Sequence, residues 1–131
     1  MESGRELLHT ASMKLSYEQL PALLVMGVRQ FAQSEEWQRL AGVADDLPGV
    51  VLASFATFLA RRSRKTPDSD AITSGLAFAA LLWNSNDERT VVAMRDEFFE
   101  TLETDPEAVE RLLPRMDQGL REGYVSWTTA A

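Results

Sequence analysis

The chain contains no cysteine and a single histidine, His9, close to its N-terminus. A disulfide framework, thiolate zinc sites and cysteine nucleophiles are therefore excluded, and so are multi-histidine metal sites. A Ser-His-Asp triad would have to use His9, which stands in the most loop-like stretch of the sequence. Phosphate-cradling loops are missing too, because the seven glycines are scattered. The uncharged runs 47–60 and 71–86 fall short of the roughly 20 residues a membrane span requires. The first residues, MESGRELLHTASMK, lack the cationic start and apolar core of a secretory signal. A cytoplasmic protein without a membrane anchor is expected. A net charge of −7 and a pI near 4.7 argue against binding nucleic acid through its phosphates.

At 131 residues, 45% of them apolar, the chain has the length of one ordinary domain. No alternating apolar run and no Asn-Gly or Asp-Gly hairpin signal occurs, whereas helix signals recur throughout. Ser16-Tyr17-Glu18-Gln19 has the form of a capping box, followed by Leu20, Leu23, Leu24, Gly27, Val28 and Phe31 at helical spacing. Ser34-Glu35-Glu36 starts a short second helix. Leu47-Pro48 opens a third, with Val51, Leu52, Phe55, Phe58 and Leu59 on one face. It ends in Arg61-Arg62-Ser63-Arg64-Lys65, where cations suit a helix C-terminus.

The run 71–86 carries no charge and points apolar groups in every direction. A helix apolar all round must be enclosed, so the helix at about 71–85 is expected at the centre of the domain. Gly75 should mark a close helix crossing. Asn84-Ser85-Asn86-Asp87 then breaks the chain and caps a helix to about Leu102. Its apolar face is wide, spanning Val91, Val92, Met94, Phe98, Phe99 and Leu102. Arg95 falls inside that arc, where it either snorkels outward or pairs with a carboxylate on a neighbouring helix. Thr104-Asp105-Pro106-Glu107 opens the last helix, whose stripe Val109, Leu112, Leu113, Met116 and Leu120 has offsets 0, 3, 4, 7 and 11. Pro114 is expected to kink that helix and Gly123 to stop it, with Trp127 pinning the tail to the body. The expected fold is thus all-α, with about five or six helices in HEAT-like antiparallel pairs or an irregular bundle. Residues 1–14 read as a leader, 15–124 as the single domain and 125–131 as a tail.

Charge is distributed unevenly. Between Asp87 and Arg111 nine acids face three arginines, a local net of −6 out of −7. A concentrated acidic face speeds encounter with a basic partner and suppresses wrong ones, although any exposed helix also needs a polar side. Asp96, Glu97, Glu100, Glu103, Glu107 and Glu110 are the expected contacts for such a partner. No catalytic, cofactor or metal residues are expected. A magnesium-dependent nucleotide pyrophosphohydrolase is the enzyme to weigh, because Glu97-x-x-Glu100, Glu100-x-x-Glu103 and Glu107-x-x-Glu110 have its local spacing. No Glu-x-x-Asp follows on the next helix, however. A third reading is a self-associating adaptor, a homodimer with Trp37 and Trp127 as apolar anchors.

The segments Leu47-Pro-Gly-Val-Val-Leu-Ala-Ser-Phe-Ala-Thr-Phe-Leu59, Asn84-Ser-Asn-Asp-Glu-Arg-Thr-Val-Val and Glu97-Phe-Phe-Glu-Thr-Leu102 carry a resemblance. They resemble an uncharacterised bacterial all-helical family, HEAT-like and often encoded near toxin and immunity genes. That family's pattern favours an asparagine beside the valines, where this chain has Thr90 and Ala93. The resemblance implies a compact helical fold and a protective binding role as an immunity protein, and it implies no catalytic residues.

Overall fold

The computed structural model describes residues 16–40, 42–66 and 69–130. The expected leader, with His9, lies outside the described residues. Among those described there is no strand, and the molecule is an all-α helical bundle. Its α-helices range from four to 18 residues. None is long and apolar enough to cross a membrane, among the described residues.

The first apolar stripe is divided. Ser16 is extended but makes no side-chain cap, and a 3-10 turn at Tyr17–Gln19 precedes α1, Leu20–Gly27. Val28 then leaves helical geometry, at φ −127° and ψ 87°, and separates α1 from α2, Arg29–Ala32. A β-branched residue gives up helical dihedrals more readily than a straight-chain one. The stripe still reaches the core: Leu20, Leu24, Val28 and Phe31 are all fully buried. Ser34 caps α3, Glu35–Gln38, accepting a hydrogen bond from the Trp37 amide at 3.2 Å.

Helix α4, Pro48–Lys65, is the axis of the bundle. It follows a 3-10 turn at Ala44–Asp46, and Pro48 occupies its first turn. Helix α5 is Asp70–Trp83. A helical run then passes through α6, Glu88–Ala93, a π turn at Met94–Phe99 and α7, Glu100–Glu103. Helices α8, Pro106–Leu112, and α9, Gln118–Ala130, complete the chain. Helix α4 packs against α1, α3, α5, α7, α8 and the π turn. It buries Val51, Leu52, Phe55, Ala56, Phe58 and Leu59, which together span one wide face of the helix.

This arrangement corrects the expectation that the helix at 71–85 lies at the centre. Helix α5 buries Ala71, Ile72, Gly75, Leu76, Ala79, Ala80 and Leu82, but Thr73, Ala77 and Leu81 face outward, Leu81 at 44% exposure. The uncovered stripe consists mostly of small side chains, so leaving it in water costs little. Gly75 does mark a close crossing: a Cβ there would stand 2.5 Å from Leu59 Cδ2 of α4.

The C-terminal region departs furthest from its expected shape. Pro114 does not kink a continuous helix. The chain tightens into a 3-10 turn at Leu113–Arg115, and Met116 is extended at ψ 151°. Proline removes the amide that Glu110 would have bonded, and its ring crowds that carbonyl. Asp117 starts the helix again by accepting the Leu120 amide at 2.9 Å. Nor does Gly123 stop it. A Cβ at Gly123 would lie 2.5 Å from the Trp83 ring, so glycine is there to admit an indole. The expected tail is therefore helical to Ala130, with Tyr124 buried and Trp127 5.8 Å from Phe99.

Candidate functional site

The acidic stretch lies on the run 88–103 and on α8. Asp87 begins the run, its Oδ2 accepting the Thr90 amide at 3.0 Å and the Thr90 hydroxyl at 2.6 Å. Thr90, Ala93 and Met94 are buried on the N-terminal side, and Phe98, Phe99 and Leu102 on the C-terminal side. In an unbroken α-helix, at about 100° per residue, these two sets would be centred roughly 130° apart. The π turn takes one extra residue into the coil and turns the second set back by about 100°, onto nearly the same face. The wide apolar face in the sequence is thus two narrow faces joined by a register shift. Val92, expected on that face, is 42% exposed, while Thr90 is fully buried in its place.

The π turn brings Asp96 and Glu97 to a cleft of about 380 Å³ lined by Tyr17, Glu88, Arg89, Val92, Ala93, Asp96 and Glu97. One wall is held in position from outside. Arg89 lies 4.5 Å over the Tyr17 ring and donates to Glu18 Oε2 at 2.6 Å. The first turn of α4 closes in beneath, since a Cβ at Gly49 would meet both Glu97 Cγ and Tyr17 Oη at 3.3 Å. Burial raises the Glu97 carboxyl above its ordinary value, and the charges of Asp96 and Glu100 add to that rise. Arg95 is exposed, with its guanidinium 5.6 Å from the Trp83 ring.

The six expected contact residues occupy three consecutive elements. Asp96 and Glu97 stand in the π turn, Glu100 and Glu103 in α7, and Glu107 and Glu110 in α8. All are exposed except Glu97, which is half-buried. Asp96, Glu97 and Glu100 share one electrostatic neighbourhood. Glu103 acts instead on Tyr124, whose phenol is pushed up first by burial and then by that charge. Nothing ties Glu107 or Glu110 to the others beyond the adjacency of α7 and α8. None of the six makes an ion pair with a described residue.

Four carboxylates elsewhere are engaged by arginine. Glu18 pairs with Arg89, Glu35 with Arg39 and Arg61, Glu36 with Arg61 at 2.9 Å, and Asp105 with Arg64. Asp105 also caps α8 through the Ala108 amide at 3.2 Å. The basic end of α4 is accordingly occupied, with Arg62 lying 5.4 Å over Phe58. Trp37 and Trp127 are half-buried against Phe31 and Phe99. No group of three or more His, Asp or Glu side chains converges to hold a metal among the described residues.

Sequence reasoning missed Tyr17, Glu88, Arg89 and Val92. Arg89 and Glu18 are 71 positions apart, and no local pattern announces their pairing. Glu88 was visible as charge but carried no sign of a cleft. Comparison with protein families, with characterised proteins and with solved structures finds no match to this chain.

Proposed function

We propose that this chain is a non-enzymatic protein-binding domain of the immunity type, which neutralises a basic partner through its acidic face. Asp96, Glu97 and Glu100 form the centre of that face, with Glu103, Glu107 and Glu110 extending it. The observation that carries this reading is the pairing pattern. Four described carboxylates elsewhere are engaged by arginine and others, such as Asp46 and Asp70, stand singly, whereas these six lie together on three consecutive elements with no paired cation among the described residues. Unpaired surface carboxylates on consecutive elements set up a field that steers a cationic surface toward them.

The test is capture from a source-cell lysate at low salt, followed by association kinetics with the captured basic protein. The triple variant Glu97→Lys, Glu100→Lys, Glu103→Lys should associate about tenfold more slowly and with a flatter salt dependence, its melting temperature not lowered. An unchanged rate, or the absence of any basic protein that the variant fails to capture, overturns the reading.

A second reading, self-association, rests on the uncovered stripe Thr73, Ala77 and Leu81 of α5. Sedimentation across a concentration series decides it, because a monomer at high concentration rules it out.

A further inference from the structure

We propose that the π turn Met94–Phe99 is a one-residue insertion carried for the surface and not for the core. It sets Asp96 and Glu97 at the lip of the cleft, where they receive a lysine or arginine side chain of the partner. This deepens the reading above and rests on it.

Two independent observations support the inference. The first is phase. The buried sets Thr90, Ala93, Met94 and Phe98, Phe99, Leu102 need the register shift only because one residue too many lies between them. Removing one residue from the wide turn would let an ordinary α-helix bury both sets, with better hydrogen-bond geometry. The core therefore gains nothing from the surplus residue. The second is place. The wide turn coincides with the cleft and supplies two of its lining side chains. A continuous α-helix would rotate Asp96 and Glu97 away from the positions they now hold.

The cleft has the chemistry of a cationic side chain's seat. Val92 offers an exposed apolar surface for the aliphatic stem, and Asp96 and Glu97 offer carboxylates to the charged head. Arg89 does not compete for that position, because Glu18 and the Tyr17 ring hold its guanidinium to one side.

The test compares the intact protein, Arg95→Ala and a deletion of Arg95, with nona-arginine as the probe. Arg95 lines no part of the cleft, and both variants lose the same positive charge. Simple electrostatics therefore makes both bind the probe more tightly. The insertion reading makes them diverge. Arg95→Ala should bind at least as well as the intact protein and shift the Val92 methyl resonances. The deletion should melt at the same temperature or higher, bind about tenfold more weakly than Arg95→Ala and leave Val92 unshifted. Val92→Trp, which fills the cleft from an exposed position, should lose the probe without a change in melting.

A deletion that melts well below Arg95→Ala overturns the insertion argument. A deletion that binds as tightly as Arg95→Ala overturns the link to the cleft and leaves the basic-partner reading standing. If the intact protein fails to bind nona-arginine, the basic-partner reading falls, while the melting comparison still decides whether the turn is an insertion.

Discussion

Glu97 is a carboxylate whose surroundings oppose its charge. It is half-buried against the first turn of α4, with Asp96 and Glu100 beside it. Its folded pKa lies above the ordinary value of 4.5, so between the two values the folded state holds a proton that the unfolded state has released. The penalty is present at neutral pH and disappears as pH falls through the raised pKa. Glu97→Gln should therefore raise the melting temperature at pH 7 and leave it unchanged in acid, where both states are protonated. Equal melting at neutral pH would show that the charge is not penalised. Glu35 has the opposite sign, since Arg61 holds its carboxyl below the ordinary range and that stability is lost in acid. At this scale the sequence is informative wherever the chemistry is local. Asp87, Asp105 and Pro48 stand at helix starts because each serves its own first turn. Gly123 was misread because a small residue that admits a distant indole looks the same as one that ends a helix.

Between residues and the whole molecule, local pattern and tertiary demand part company in two elements. The stripe Val109, Leu112, Leu113, Met116 and Leu120 runs unbroken in the sequence, and Leu112, Met116 and Leu120 are indeed buried. The backbone nevertheless leaves helical geometry at Met116, because periodicity records which residues face inward and not whether the chain between them is continuous. Asp117 was the available signal, an acid three residues before the next buried leucine. Asp117→Ala should cost about 0.5–2 kcal/mol by removing that cap. Thermal melting followed by circular dichroism measures it, and a loss near zero would mean the restart of α9 is held by packing alone. The π turn is the other case. A wide apolar arc is what two narrow faces with a register shift between them look like when projected on an ideal helix.

For the molecule as a whole, the fold class was legible and its centre was not. The uncharged run 71–86 drew attention as the helix that must be enclosed. Helix α4 takes that place because Phe55 and Phe58 both reach Phe31, while Phe55 also meets Phe98. Hydrophobicity averaged over a helix does not say how far its side chains reach. Global charge is a separate matter. With −6 of the net −7 confined to 87–111, the folded chain repels itself in one region. Raising sodium chloride from low to physiological concentration should lift the melting temperature by about 2 °C, roughly half a kilocalorie per mole of screened repulsion. A fall would mean that the arginine bridges at Glu18, Glu36 and Asp105 outweigh that repulsion.

The aromatic core also has a line of march. Ring contacts lead from Phe31 to Phe55, Phe98 and Phe99 at 5.4–6.1 Å, and tryptophans stand at both ends. Trp37 rests on Phe31, while Trp83 and Trp127 rest on Phe99. The molecule therefore carries built-in fluorophores in two separate places, one reporting on the N-terminal helices and two on the C-terminal ones. With the others replaced by phenylalanine, each gives a spectroscopic view of one end, and coincident transitions would mark the two halves as a single cooperative unit.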